Sequence, residues 1–287
     1  MKRILVTGGA GFIGSHLCEA LVRNSDDLVY SLDNYTTGKE ENHIPGVTYI
    51  KGDTRKIDLK IEFVPDKIFH LGEYSRTSES FNEPEKTWRH NTEGTFNVLE
   101  FCRKNSVKKI LYAGSSTKLA DGGDGCDQSP YAWTKAMNTE LIQRYGEWFG
   151  LPFVTVYFYN VYGGREIQEG SYATLIGIFK RLTREKKPLT IVAPGTQRRK
   201  FTHVDDIVRG ILLAMEKGNG DGYCLGPKET HTIRDVAKLF GREIVMLPEK
   251  SGDRKTVAID LTKTEKELGW KAMIRLEDHI RDFLRNL

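Results

Sequence analysis

Lys2-Arg3-Ile4-Leu5-Val6-Thr7-Gly8-Gly9-Ala10-Gly11-Phe12-Ile13-Gly14 is the stretch that decides the fold. Its apolar run is too short for a helix and breaks at Gly8, Gly11 and Gly14, spaced three apart. His16 to Val22 then reads as a helix with Leu17, Ala20 and Leu21 on its buried side. Strand, glycine turn and helix in that order suit a pyrophosphate. Gly8 permits the tight turn, Gly11 lets the backbone approach the phosphates, and Gly14 lets helix and strand pack closely. The N–H groups that open the helix then face the anion.

Such a glycine triplet also occurs in ordinary strand-to-helix turns, so its setting matters. A second strand, Leu28 to Leu32, ends in Asp33, where an acid is expected to bind a ribose 2′-hydroxyl. A carboxylate there repels a 2′-phosphate, which favours NAD over NADP. Phe12, Ile13, Asn34 and Thr54 complete the expected cofactor contacts on these turns. Asp53, at the end of the strand Val47 to Lys51, could bind adenine or simply make a turn.

With 287 residues the chain can bury one large domain and a smaller lobe. Basic and acidic residues, 43 and 39 of them, are mixed throughout. The resulting net charge of +4 gives little reason to expect a nucleic-acid partner. Cys18, Cys102, Cys126 and Cys224 form no C-x-x-C pair and the seven histidines do not cluster, so neither a disulfide framework nor a metal site is expected. No segment reaches membrane-spanning length, and Gly8-Gly9 ends the first apolar run too early for a signal peptide. A cytoplasmic enzyme with reduced thiols is the expectation.

Further strands follow at Lys67 to Gly72, Ile110 to Ala113 and Phe153 to Phe158. They alternate with helices predicted over Pro84 to Lys104 and Tyr131 to Phe149, the second after a Gly/Asp-rich loop from Asp121 to Asp127. Leu71, Gly72 and Glu73 lie where the backbone must pass close to the cofactor, and His70 reads as a packed strand residue. This alternation predicts an α/β fold, a Rossmann-type doubly wound parallel sheet with right-handed crossovers. Residues 1–162 form the dinucleotide-binding domain, to which 201–216 return. The remainder, 163–287, is mainly a C-terminal lobe that binds substrate.

Tyr131 and Lys135 are four apart at a helix start, so their side chains share a face. An ammonium beside a phenol favours phenolate and makes Tyr131 a general base. Tyr35 and Lys39 have the same spacing but sit in a loop after the second strand. Tyr131 instead follows a strand that ends in the hydroxyls of Ser115, Ser116 and Thr117, and the C-terminal ends of strands are where open α/β sheets bind ligands.

Several motifs occur here in a characteristic order: the three glycines, Asp33, His70-Leu71-Gly72-Glu73, Asn91 with Gly94-Thr95, Ser115-Ser116-Thr117 and Tyr131-x-x-x-Lys135. Tyr159-Asn160-Val161-Tyr162-Gly163, Phe201-Thr202-His203-Val204-Asp205-Asp206 and Leu268-Gly269-Trp270 follow. Over nearly its whole length the chain resembles the extended short-chain dehydrogenase/reductases that act on nucleotide sugars. The resemblance implies an NAD-dependent epimerase or dehydratase. In it Tyr131 takes a proton from a sugar hydroxyl, usually at C4, Ser116 bonds the same oxygen, and Lys135 holds the nicotinamide ribose. A transient 4-keto sugar then turns over before hydride returns. The resemblance places Asn160 and Arg199 on the sugar diphosphate, with Lys250 and Arg254 as weaker candidates. Ser75, Arg76, Asn91, Thr117 and Lys118 fall where the sugar is met. It also implies a homodimer, built from helices beginning near Pro84 and Tyr131, and a role in making polysaccharide precursors.

Two departures bear on the activity. The stretch between Ser116 and Tyr131 is short for that family, which leaves Ser115 or Thr117 as alternative partners of the sugar oxygen. In addition, the Asp-Glu pair that serves 4,6-dehydratases stands here as Thr117-Lys118. Without paired carboxylates elimination lacks its acid and base, which favours an epimerase acting at C4 of a UDP-sugar. A dehydratase with Lys118 as base, or a C4 dehydrogenase, is the alternative. A regulatory NAD-binding module would be expected to have lost Tyr131 or Lys135, and both are present.

Overall fold

The computed structural model describes residues 1–248 and 259–287, with 120–125 described by their backbone alone. The central sheet takes seven strands: β1 (Arg3–Thr7), β2 (Leu28–Asp33), β3 (Val47–Lys51), β4 (Lys67–His70), β5 (Lys109–Ser115), β6 (Phe153–Phe158) and β7 (Gly220–Leu225). Their order is β7-β6-β5-β4-β1-β2-β3, and every pairing is parallel. Order reverses beside β1, which leaves a crevice between its C-terminal end and that of β4.

Alternation along β1 explains the two layers. Ile4 and Val6 face one core with Leu17, Cys18 and Leu21 of α1 (Phe12–Asn24), while Leu5 faces the other with Val98, Leu99 and Cys102 of α2 (Gly94–Lys104). Each fully buried Leu, Ile or Val contributes about 1.5–3 kcal/mol relative to exposure. α3 (Pro130–Phe149) adds Ile142 and Tyr145 to the second core. Its start is set by Pro130 in the first turn and by Ser129, whose hydroxyl accepts from Ala132 N at 3.0 Å.

The smaller lobe has its own core, in which Phe179 of α4 (Leu175–Arg184) meets Phe240 and Ile280. Two strands of this lobe, Leu189–Val192 and Ile244–Leu247, pair in parallel. The returning helix α5 (Val204–Lys217) is capped by the His203 ring and packs Ile207, Ile211 and Met215 into the first core. The return extends further than the sequence reading placed it, because β7 joins the sheet beside β6 and Tyr223, Leu225 and Trp270 join that core.

Two predicted elements differ. The helix expected over Pro84 to Lys104 is helical throughout but opens into a wider π turn over Arg89–Glu93 between Pro84–Trp88 and α2. The loop expected over Asp121 to Asp127 is the end of a run of tight 3-10 turns, Ser116–Asp127.

Candidate active site

One pocket runs from the glycine turn to Tyr131 and Lys135. At its near end Gly8 has φ 77°, and a Cβ there would lie 2.9 Å from Gly72 Cα, so the β1 and β4 turns are in backbone contact. Helix α1 opens at Gly11 without a side-chain cap, which leaves its first N–H groups for a ligand. The Asp33 carboxylate accepts from Ala10 N at 2.9 Å and Tyr35 N at 2.8 Å. Burial holds its carboxyl above the ordinary carboxylate value, and the two N–H donors offset this only in part. Gly11, Phe12, Ile13, Gly14, Asp33, Asn34, Thr54, Leu71, Gly72 and Glu73 all line this pocket. An uncapped helix end, a side-chain-free turn and a terminal carboxylate fit a dinucleotide, with NAD's pyrophosphate on the turn and a ribose at Asp33.

Asp53 lies apart from this group. Its carboxylate accepts from Arg55 Nη2 at 2.8 Å, Arg55 Nε at 3.0 Å and Arg55 N at 2.9 Å, and stands 3.4 Å from His90. The turn reading fits its side chain better than an adenine contact, because the acceptor is already committed.

At the far end the ends of β1, β4 and β5 place Thr7, His70 and Tyr112 in one row. Beside them Glu73 turns inward and accepts from Thr95 Oγ1 at 2.6 Å, Asn138 Nδ2 at 2.7 Å, Tyr112 Oη at 3.0 Å and Lys135 Nζ. Burial raises the Glu73 carboxyl, but Lys135 and the other donors outweigh it and hold the carboxyl below its ordinary value. Tyr112 is pushed well up by burial and then by Glu73, so it stays a phenol. From sequence, Glu73 is expected at the cofactor by its backbone alone; the network around its side chain has no local signal. Thr95 belongs to a motif and to the helical spacing of Pro84 to Lys104, and Tyr112 and Asn138 carry no signal in the sequence.

Among the three hydroxyls that end β5, Ser115 and Thr117 are bonded to each other, Thr117 Oγ1 donating to Ser115 Oγ at 2.9 Å. Both are buried, whereas Ser116 is half-buried and makes no hydrogen bond within the described residues. Of the three, Ser116 is the hydroxyl with no side-chain partner among the described residues, and none of the three lines the pocket.

Three expected sugar contacts go elsewhere. Asn91, fully buried, accepts from Tyr74 N at 2.8 Å and donates to Tyr74 O and Thr134 Oγ1, each at 3.1 Å. It shapes the Tyr74-Ser75-Arg76 loop, and the π turn carries it there. Lys118 pairs with Asp221 at 3.3 Å and does not line the pocket. Thr117 is occupied as above. Ser75 and Arg76 do line the pocket, and Arg76 Nε donates to Tyr172 O at 3.0 Å from the smaller lobe. Asn160, at φ 27°, donates to Lys200 O at 2.9 Å and so is tied to the Arg198–Arg199 strand, outside the pocket lining. Lys250 and Arg254 lie outside the described residues.

No helix among the described residues is long and apolar enough to cross a membrane, and they contain no cluster of His, Cys, Asp or Glu that could hold a metal.

The sequence model of the NAD dependent epimerase/dehydratase family matches residues 4–226. A Bacillus subtilis protein named as an uncharacterized UDP-glucose epimerase, YtcB, is 30% identical over 304 residues, covering 96% of this chain and 95% of its own. The crystal structure of UDP-glucose 4-epimerase with UDP-glucose from Thermotoga maritima superposes with a TM-score of 0.91 at 28% identity, covering 99% of both chains. The dTDP-glucose 4,6-dehydratase DesIV of Streptomyces venezuelae, solved with NAD bound, gives 0.90 at 25% identity, over 99% of this chain and 96% of its own.

Proposed function

Because the chain belongs to the NAD dependent epimerase/dehydratase family, we propose that it is an NAD-dependent nucleotide-sugar epimerase acting at C4 of a UDP-sugar. The observation that carries epimerase over dehydratase is that, among the described residues, no carboxylate is free at the reacting end. Asp33 and Glu73 are the only acids lining the pocket among the described residues. Asp33 is held at the glycine turn, and Glu73 already accepts from four side chains. Lys118, the alternative base for elimination, is paired with Asp221.

Bound NAD supplies the hydride chemistry. Tyr131 takes the proton from the C4 hydroxyl and later returns it, and Ser116 bonds the same oxygen. Lys135 uses two N–H groups on Glu73 and Ala113 O, which leaves its third for the ribose. Arg199, with Arg254 outside the described residues, is kept in this reading for the diphosphate, where a guanidinium can engage two oxygens at once. Asn160, whose amide is held by Lys200 O, and Arg199 both stand outside the pocket lining, so the reading needs that strand to meet the ligand from beyond it.

Incubation of the protein with UDP-glucose and UDP-N-acetylglucosamine in deuterated water, followed by NMR, tests the reading. Epimerisation yields an isobaric product inverted at C4, and Tyr131→Phe slows it by about 10²–10⁴-fold. Loss of water with deuterium uptake would establish a dehydratase instead.

The protein acts in this reading as a cytoplasmic homodimer that makes polysaccharide precursors. Phe81, Trp88 and Trp133 line one groove where the helices beginning at Pro84 and Pro130 meet, and all three are exposed. Such a patch suits a partner helix pair. Light scattering should give twice the chain mass, falling to one chain in Trp133→Glu; a parent monomer would remove this part.

A further inference from the structure

The mechanism above uses the Glu73 side chain only to take one N–H of Lys135, yet four donors converge on it. Taking a carboxylate out of water costs several kcal/mol unless it is paired, and a packing role alone would be met by an apolar residue. Its direct partner is Lys135, whose side chain is 6% exposed and whose ammonium also donates to Ala113 O at 2.5 Å and sits 4.6 Å from the centre of the Tyr112 ring. A lone ammonium one turn from Tyr131 would favour phenolate strongly. An ammonium in contact with a carboxylate does so far less, since the two charges largely cancel at a distance. The other groups facing this cluster are His70 and Tyr112 from the sheet, and Arg76 and Tyr172 across the pocket from Tyr131.

We propose that Glu73 is a positioning residue: it fixes the Lys135 ammonium beneath the end of β5 and offsets its charge, so that the pair, and not the lysine alone, sets how readily Tyr131 gives up its proton. This rests on Tyr131 being the base in the reading above, and it makes base strength depend on a residue that touches neither substrate nor Tyr131.

The test titrates Tyr131 without turnover. In NAD-loaded protein, tyrosinate absorbance is followed as pH rises, and the same curve for a Tyr131→Phe counterpart is subtracted. Glu73→Gln, which leaves the ammonium uncompensated, should lower the midpoint by about one pH unit. Glu73→Asp, which keeps the charge, should leave it in place. A folded Glu73→Gln with the parent midpoint, or an equal fall in both variants, overturns the proposal. If Glu73→Gln does not fold, the double variant Glu73→Gln/Lys135→Met replaces the pair by neutral groups. It should keep the parent midpoint, and a rise of about one unit or more would mean that the lysine had acted on Tyr131 uncompensated. Failure of the epimerase reading would show separately, as absence of UDP-sugar turnover by the parent protein.

Discussion

The hydrogens in the row behind Glu73 can be assigned from the bonds alone. Thr95 has one hydroxyl hydrogen and gives it to Glu73, so His70 Nε2, 2.9 Å from Thr95 Oγ1, must carry a proton. His70 Nδ1 then accepts from Thr7 Oγ1 at 2.7 Å, and Thr7 accepts from Leu71 N and Gly72 N. The ring is neutral: burial drives it down to about 4, with Glu73 opposing and Lys135 assisting. Below pH 6.5 the unfolded chain therefore binds a proton that the folded chain refuses until about pH 4. Stability contributed by His70 is complete above 6.5 and falls as pH drops through that window, by up to about 3 kcal/mol. His279, pushed to about 3 by burial and then by the neighbouring Lys180 and His203, acts in the same direction. Urea midpoints should fall steadily from about pH 7 to about pH 5 and fall less in His70→Gln; a flat parent curve would contradict the assignment. His70 was legible in the sequence as a packed strand residue. Its partners were not, because they come from β1 and α2 and nothing local announces them.

Elements were more legible than contacts, because hydrophobic period and glycine punctuation are local signals. The strands from Arg3 to Phe158 and the start of α3 lie where alternation, Pro130 and Ser129 place them. The π turn escaped because its cause is tertiary: Asn91 reaches across to the Tyr74 backbone. β7 escaped because Gly220-Asp221-Gly222 reads as a turn, and Gly220 and Gly222 do have positive φ, at 72° and 102°, where the pairing with β6 shifts register. The glycine triplet supports a sharper prediction. A Cβ on Gly14 would run into the Gly8 carbonyl oxygen and carbon, which are backbone atoms that cannot rotate aside. Gly14→Ala should thus cost about 1–3 kcal/mol and reduce the NAD carried through purification. Calorimetry together with released nucleotide would check both, and a variant with the parent melting temperature and full NAD would show that α1 and β1 do not pack as tightly as described.

Over the whole molecule, the smaller lobe reaches back over the cofactor pocket through one segment. Ile167, Tyr172 and Thr174 line the pocket, and the same segment is tied to the dinucleotide-binding half at three points. His16 Nε2 donates to Gly164 O at 2.9 Å, Arg165 pairs with Glu19 at 2.5 Å, and Arg76 donates to Tyr172 O. Within the lobe, Glu166 anchors the segment by accepting from Lys180 Nζ and Thr174 Oγ1, each at 2.6 Å. The sequence separates residues 1–162 from 163–287 but cannot show that α1, proposed above to present its N-terminus to the phosphates, is also tied to the segment beside it. If a bound nucleotide leaves past this segment, the α1 contacts are placed to oppose its release. Glu19→Gln keeps the shape and removes the charge that Arg165 answers. The pair is partly exposed, so its loss is worth about 0.2–1 kcal/mol, which would speed NAD release by up to roughly fivefold. Release followed after rapid dilution into a nucleotide scavenger should quicken in Glu19→Gln and, in the parent, with added salt, while the thermal midpoint moves little. An unchanged rate under both conditions would mean that NAD leaves without moving the segment, and that the three ties serve the joint between the halves alone.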